Sequence, residues 1–475
     1  MYSLGLLAVS SFVLALVLTP LVRNLARRWG LVDRPDRERR VHADAVPRLG
    51  GVAIVLAYLG AFAVLLAAPV QGGHMVRDAL PLIWRLLPAA VLVFAVGLLD
   101  DLRGLTPLQK LLGQVAAALA AVGAGVQLTG VAGFALPVWL GAPLTLVWLV
   151  GCANAFNLID GVDGLAAGVG LFATATVVLA ALLGNHTALA LATVPLAGAL
   201  AGFLRFNFNP ATIFLGDSGS LLVGFLLGCY GLLWSQKAAT ALGMTAPLMA
   251  MSIPLLDTAL AIARRFLRRQ PVWQADRGHI HHRLLARGLT PRKVVLLLYA
   301  AAAFGASLSL LQSSLENRYS GLAILLFCAM AWVGVQHLGY VEFGVAGRMF
   351  IDGTFRRHLS SQLALQTFEQ ELAAARTAAE CWRAVCTACR AFGFTEAEFR
   401  LNGHRFRATL VETNGNPTWQ MQIPLEEGWL KLKRCFDAAG APTVLAPFAD
   451  SLHRGIASFH RRHGERVQQQ DPVGR

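Results

Sequence analysis

The chain has 475 residues, of which 56% are hydrophobic and 14% charged, where soluble domains carry about 25% charged residues. Its 41 basic and 27 acidic residues give a net charge of +14. This composition excludes intrinsic disorder, collagen-like repeats and small disulfide scaffolds, and it leaves a polytopic membrane protein.

Crossing a bilayer takes about 20 apolar residues. Eleven stretches qualify: 3–22, 50–68, 82–99, 107–126, 141–158, 164–183, 187–204, 216–235, 243–264, 292–312 and 319–338. The first is read as a span and not a cleaved signal, because its basic cluster follows it. The 23–49 connection carries Arg23, Arg27, Arg28, Arg34, Arg37, Arg39, Arg40 and Arg48. The 264–293 connection carries Arg264, Arg265, Arg268, Arg269, Arg277, Arg283, Arg287, Arg292 and Lys293. Loops of opposite parity hold only Arg77, Lys237 and Arg318. The positive-inside rule then predicts an N-terminus outside and a C-terminus in the cytoplasm. It also explains the high net charge without nucleic acid as a partner.

Beyond residue 340 the chain turns polar. Helical periodicity covers 360–392, and alternating stretches begin at Glu398, Trp419 and Trp429. This predicts a small cytoplasmic α+β domain over 341–465, followed by a disordered tail, 466–475. The expected fold is therefore an all-α polytopic membrane domain of about eleven helices, 1–340, with an α+β appendage. Cys386 and Cys389 have a spacing that suggests zinc. They share a helical face with Trp382, Val385 and Phe392, which favours core packing.

Chemistry is carried by polar clusters at span ends, all on the predicted cytoplasmic side. In chain order they are Pro47-Arg48-Leu49-Gly50-Gly51, with His42 before it; Asp100-Asp101-Leu102-Arg103, with Lys110 after it; Asn154 and Asn157-Leu158-Ile159-Asp160-Gly161-Val162-Asp163-Gly164; Phe206-Asn207-Phe208-Asn209-Pro210, running on to Phe214-Leu215-Gly216-Asp217-Ser218-Gly219-Ser220; and Asp276, Arg277 and His279-Ile280-His281-His282-Arg283. Any one acid reads equally well as a helix cap. Capping does not require five acids and three histidines to converge on one face, and chemistry does. Oxygen donors suit Mg²⁺ or Mn²⁺. Arginine and histidine suit phosphate oxygens. The combination suits phosphoryl transfer. Zinc on the histidines is the weaker reading, since Arg277 and Arg283 surround them with positive charge. No glycine-rich nucleotide loop of the common soluble kinds occurs. Gly216-Asp217-Ser218-Gly219 looks like a protease nucleophile loop, but it directly precedes a span. The rival class is a secondary transporter, whose substrate site would lie near the midplane between repeated halves. Only Asp257 lies that deep, and no repeat is visible.

In this order, the clusters closely resemble those of the polyprenyl-phosphate N-acetylhexosamine-1-phosphate transferases, glycosyltransferase family 4, over residues 1–340. The resemblance implies transfer of a sugar-1-phosphate from a UDP-sugar to a polyprenyl phosphate, with release of UMP, at the cytoplasmic face of a bacterial inner membrane. It implies Mg²⁺ held by Asp217 and Asn157. Asp100 and Asp101 match the acidic pair near the lipid phosphate, one of them the proposed base. Asp160 and Asp163 match nucleotide-pocket and catalytic positions. Phe214 matches an aromatic near the uracil. Arg48, Leu49 and Gly50 match a nucleotide-sugar contact, and Lys110 a lysine beside the site. His279, His281 and His282 match the motif lining the sugar diphosphate, with His281 and His282 in the catalytic set. Asn154, from the same cluster as Asn157, joins the substrate-binding set. The histidine spacing and Pro254-Leu255-Leu256-Asp257 resemble the UDP-GlcNAc branch, which starts O-antigen, enterobacterial common antigen or teichoic-acid linkage units. The alternative is the phospho-MurNAc-pentapeptide branch of peptidoglycan synthesis. A third acid common in the first branch is replaced here by Arg103-Gly104, so no role is carried over for it. Both a one-step and a covalent aspartyl-phosphate mechanism remain open at this level, as do a homodimeric state and the partner of the C-terminal region.

Overall fold

The computed structural model describes residues 2–33, 45–67, 73–131, 134–237, 245–267, 270, 278–314, 320–340, 354–401, 403–412, 417–426, 428–436 and 445–469. His42, Asp276 and Arg277 lie outside them. The chain divides into two compact units, Met1–Tyr340 and Val341–Arg475.

The first unit is helical. Its helices are α1 (Tyr2–Arg28), α2 (Gly50–Ala67), α3 (Gly73–Arg103), α4 (Pro107–Gly123), α5 (Val138–Ile159), α6 (Leu165–Leu183), α7 (Thr187–Asn207), α8 (Gly216–Lys237), α9 (Thr245–Ala250), α10 (Ser252–Leu267), α11 (Ile280–Ala286), α12 (Pro291–Ser314) and α13 (Ser320–His337). Two antiparallel strand pairs join them: β1 (Val32–Asp33) with β2 (Val46–Pro47), and β3 (Gly130–Val131) with β4 (Phe134–Ala135).

Among the described residues, eight helices are long and apolar enough to cross a membrane: α1, α2, α3 from Pro81, α5, α6, α7, α8 up to Ser235, and α12 up to Gln312. The other three expected spans fall short of that standard. Helix α4 has 17 residues. The stretch 243–264 is broken at Met251 into α9 and α10. Pro254 accounts for the break, since it has no N–H to give the carbonyl of residue 250 and its ring crowds that carbonyl. Helix α13 contributes a shorter apolar stretch, Gly321–His337.

Burial ranks the helices. The apolar window of α8 is 89% buried, against 22% for α3 and 28% for α1. Helix α8 is therefore the central post of the unit. Helices α1 and α3 turn Val9, Phe12, Val13, Val91 and Leu92 outward, as lipid-facing helices do.

The second unit contains α14 (Thr354–Ala374), α15 (Ala378–Ala391), strands β5 (Glu396–Leu401), β6 (His404–Thr409), β7 (Thr418–Leu425) and β8 (Gly428–Cys435), and α16 (Leu445–Gln469). The strands form one antiparallel sheet in the order β6-β5-β8-β7. Strand residues alternate between faces. Ala397, Phe399, Leu401, Leu430 and Leu432 face a core shared with Phe368, Cys389 and Phe448. Glu396 and Glu398 face the other way and pair with Lys433 and Arg405. Cys386 and Cys389 are buried in this core face of α15. Helix α16 continues to Gln469, four residues into the stretch expected to be a disordered tail. Residues 470–475 lie outside the described residues.

Candidate active site

The site is organised by the N-terminus of α8. A helix start exposes backbone N–H groups that need acceptors, and an anion there is favoured by the helix dipole. Asp101, at the end of α3, supplies the acceptors. Its Oδ1 accepts from Asp217 N (2.8 Å) and its Oδ2 from Ser218 N (2.9 Å). Gly216 enters the helix at φ +74°, and a Cβ there would lie 2.0 Å from the Arg48 carbonyl oxygen. Only glycine satisfies both conditions. The Arg48 segment is itself laced to the irregular segment entering α8. Phe214 N donates to Pro47 O (2.8 Å), Gly50 N to Phe214 O (3.0 Å) and Gly51 N to Leu215 O (2.9 Å). Arg48 also forms an ion pair with Asp33 (2.6 Å).

Asp217 stands beside Lys110 and Asn157. The Lys110 ammonium bridges Asp217 and Asp100, the latter at 2.6 Å. Asn157 Nδ2 donates to Asp217 Oδ1 (2.8 Å) and Ser220 Oγ (3.1 Å). Lys110 is aimed by the start of α4. Thr106 and Gln109 form a capping box, and Pro107 sits in the first turn. Asp100 is further held by Leu105 N, which donates to its Oδ1 (2.5 Å).

Asp160 follows the last residue of α5. Burial, then the charges of Asp217, Asp101 and Asp163, push its carboxyl well above the ordinary range, while a hydrogen bond from the Gly216 backbone opposes the shift. Asp163 is buried and holds the α7–α8 connection. Its Oδ2 accepts from Asn209 Nδ2 (3.0 Å) and Ala211 N (2.9 Å).

The histidines are carried by α11 and anchored from α10. Asp257, buried to 2% exposure, binds His279 Nδ1 through Oδ2 (2.9 Å) and accepts from Ile280 N through Oδ1 (2.8 Å). His281 is packed against Gly161, with the His282 ring 4.3 Å away. Burial, and after it the neighbouring His282, lowers the His281 imidazole to about 3 from its ordinary 6.5. A histidine held neutral in this way stabilises the fold fully above about pH 6.5 and loses that contribution as the pH falls toward 3. At pH 5 the loss is about 2 kcal/mol. Thermal unfolding in detergent at pH 7.5 and pH 5 should show this drop in the parent protein and a smaller one in His281→Gln. Equal drops would contradict it.

One cavity of about 770 Å³ gathers these groups. Its wall includes Arg48, Asp100, Asp101, Asp160, Asp163, Phe214, Asp217 and His282. That size lies in the upper part of the range of about 300–1,000 Å³ typical of small-molecule and cofactor sites. The cavity lies where α3, α5, α7 and α8 end or begin, so the acids are grouped at helix ends.

A family model, glycosyl transferase family 4, matches residues 83–235, the segment that supplies most of this wall. A protein of Bacillus subtilis named as a probable undecaprenyl-phosphate N-acetylglucosaminyl 1-phosphate transferase is 37% identical over 298 residues, covering 61% of this chain and 79% of the relative. The chain belongs to glycosyl transferase family 4. A Mycobacterium tuberculosis member, named decaprenyl-phosphate N-acetylglucosaminephosphotransferase, is 36% identical, covering 65% of this chain and 82% of its own. An Escherichia coli K12 member, named undecaprenyl-phosphate alpha-N-acetylglucosaminyl 1-phosphate transferase, is 27% identical, with 64% and 82% covered.

Not every residue expected from the family motifs reaches the cavity wall. Asn154 lies one helical turn before Asn157, and its Nδ2 donates to Gln114 Oε1 on α4 (2.5 Å) and to Val150 O (2.8 Å). It ties two helices together. Leu49 and Gly50 are buried against the α8 entry, so Arg48 is the member of that motif that faces the cavity. His279 faces Asp257, and His281 is buried behind His282. Asn157 and Lys110 reach the site through Asp217. Sequence reasoning assigned no role to Asp257, Asn209, Ser220 or Asp33. Asn209 and Ser220 stood in the polar clusters without a role of their own, Asp257 left a signal as a carboxylate seven residues inside an apolar stretch, and Asp33 left none.

Proposed function

We propose that the protein transfers GlcNAc-1-phosphate from UDP-GlcNAc to a polyprenyl phosphate and releases UMP, the initiating step of a cell-envelope polysaccharide. The observation that carries this reading is the convergence of Arg48, His282 and the five aspartates on one cavity at the ends of membrane-crossing helices. That position suits a reaction between a water-soluble nucleotide sugar and a phosphate anchored in the bilayer. The relatives' names favour N-acetylglucosamine over the MurNAc-pentapeptide alternative. By the positive-inside rule the cavity opens to the cytoplasm of a bacterial inner membrane.

A lipid phosphate oxygen attacks the β-phosphorus of the UDP-sugar. The bond from that phosphorus to the bridging oxygen breaks, and UMP leaves. A phosphate dianion is already nucleophilic, so the protein's work is positioning and charge stabilisation. Arg48 and His282 face the diphosphate. Phe214 offers an aromatic face to the base. Asp101 positions the start of α8 through its two hydrogen bonds. Asp100 and Lys110 set the charge beside Asp217.

Among the described residues no group of three or more His, Cys, Asp or Glu is arranged to hold a metal. Mg²⁺ needs fewer, because it is commonly bound through one or two carboxylates plus substrate phosphates. Asp217 and Asp100 offer hard carboxylate oxygens and share one cation, Lys110, a setting that fits Mg²⁺, with Mn²⁺ as substitute. Asp217 would hold the ion, with Asn157 through its amide oxygen. Bound there, Mg²⁺ neutralises the diphosphate.

The test is UMP release by purified protein from a panel of UDP-sugars. Release should require both a polyprenyl phosphate and Mg²⁺, and be fastest with UDP-GlcNAc. Release without the lipid would contradict the reading. The second unit has its own core, and all proposed site residues lie in the first. A chain ending at residue 345 is therefore expected to insert and retain transferase activity in detergent. An inserted, folded but inactive truncation would assign the second unit to catalysis.

A further inference from the structure

We infer that Tyr340, beyond the last apolar helix, is a positioning residue for the histidine-bearing helix α11. The inference rests on the transferase reading for its effect on turnover, but its structural part stands independently.

Helix α11 has seven residues, and helices below about 12 residues are marginal on their own. Its placement therefore comes from tertiary anchors. Asp257 is the first, at its N-terminal end. The second is a clasp on Arg283, the residue after His282. Arg283 Nη1 donates to the carbonyls of Leu338 (3.2 Å) and Gly339 (3.1 Å). Its guanidinium carbon lies 3.9 Å from the centre of the Tyr340 ring. Arg264 of α10 approaches the same ring at 5.4 Å, within the range of cation–π attraction. The Tyr340 hydroxyl donates to Gly278 O (3.3 Å), which precedes the histidine motif. Tyr340 is 5% exposed and Arg264 2%, so the attraction is little screened by water. Tyr340 thus fastens the residue that follows His282 chiefly through its ring, and the entry to α11 secondarily, through one long hydrogen bond. His282 lines the cavity. Loosening Tyr340 lets α11 and His282 move together.

The test compares full-length Tyr340→Leu, Tyr340→Phe and the parent in detergent or nanodiscs. Leucine removes the aromatic face, and phenylalanine keeps it. Amide exchange across Ile280–Ala286 is expected to be at least tenfold faster in Tyr340→Leu than in the parent, with near-parent protection in Tyr340→Phe. In the UMP-release assay, kcat is expected to fall about tenfold in Tyr340→Leu with little change in KM, and Tyr340→Phe should retain at least half. Unchanged exchange in α11, or parent kcat in an active Tyr340→Leu protein, would overturn the assignment. A parent protein that releases no UMP defeats the transferase reading alone, and the exchange measurement still decides the role of Tyr340. As a second check, a chain ending at Tyr340 should be protected in α11 and a chain ending at His337 should not. Equal protection in these two chains would also overturn it.

Discussion

Asp217→Asn is expected to lower turnover by at least about 1000-fold while the protein still reaches the membrane and unfolds at a near-parent temperature. The change keeps the shape at the start of α8 and leaves the backbone bonds to Asp101 intact. It removes the charge that pairs with Lys110 and the proposed carboxylate ligand of Mg²⁺. A metal ligand at a transferring phosphoryl group supplies several kcal/mol of transition-state stabilisation, and about 4 kcal/mol corresponds to that factor. The measurement is UMP release at saturating Mg²⁺ alongside a detergent melting curve. Activity within tenfold of the parent would remove Asp217 from the metal site.

Asp101→Ala should fail differently. Asp101 accepts two backbone N–H groups at the head of the most buried helix. Charge-assisted hydrogen bonds contribute about 1.5–3 kcal/mol each, so the loss is on the order of 3 kcal/mol or more. The melting temperature and the activity should fall together. Asp101→Asn keeps one acceptor and should recover part of both. An Asp101→Ala protein that is inactive yet as stable as the parent would return Asp101 to the role of catalytic base. The two neighbouring acids, equivalent as letters, are thus separated by what they touch. Asp100 faces Lys110, and Asp101 faces backbone.

That separation marks how far the sequence was legible. Apolar length and arginine parity announced a membrane protein, because the bilayer imposes both on the chain directly. Span ends were legible for the same reason, since charged residues are expelled from the hydrocarbon. Loop parity put the motifs on one side of the membrane, but that Arg48, Asp160 and Asp217 meet in one cavity was legible only through resemblance, because nothing local says so. Helix breaks were less visible. Pro254 divides an apolar stretch of apparently sufficient length, and the division places Asp257 where it can hold His279. The division of labour within motifs was invisible. Asn154 and Asn157 differ by three positions, yet one binds Gln114 and the other Asp217. Strand β6 was missed because its residues His404–Thr409 are mostly exposed and its alternation rests on Phe406 and Ala408 alone.

A transporter reading fits this geometry poorly. The acids line one cavity at helix ends, and the deep carboxylate Asp257 is occupied by His279 and Ile280 instead of lining a path across the membrane.

In the proposed reaction the sugar moves together with its phosphate. The decisive measurement identifies both products after purified protein is given UDP-GlcNAc, polyprenyl phosphate and Mg²⁺, with mass spectrometry of the lipid and chromatography of the nucleotide. The expected products are a lipid carrying a diphosphate-linked N-acetylhexosamine and UMP in equal amount. A lipid carrying the sugar through a single phosphate, with UDP released, would contradict it.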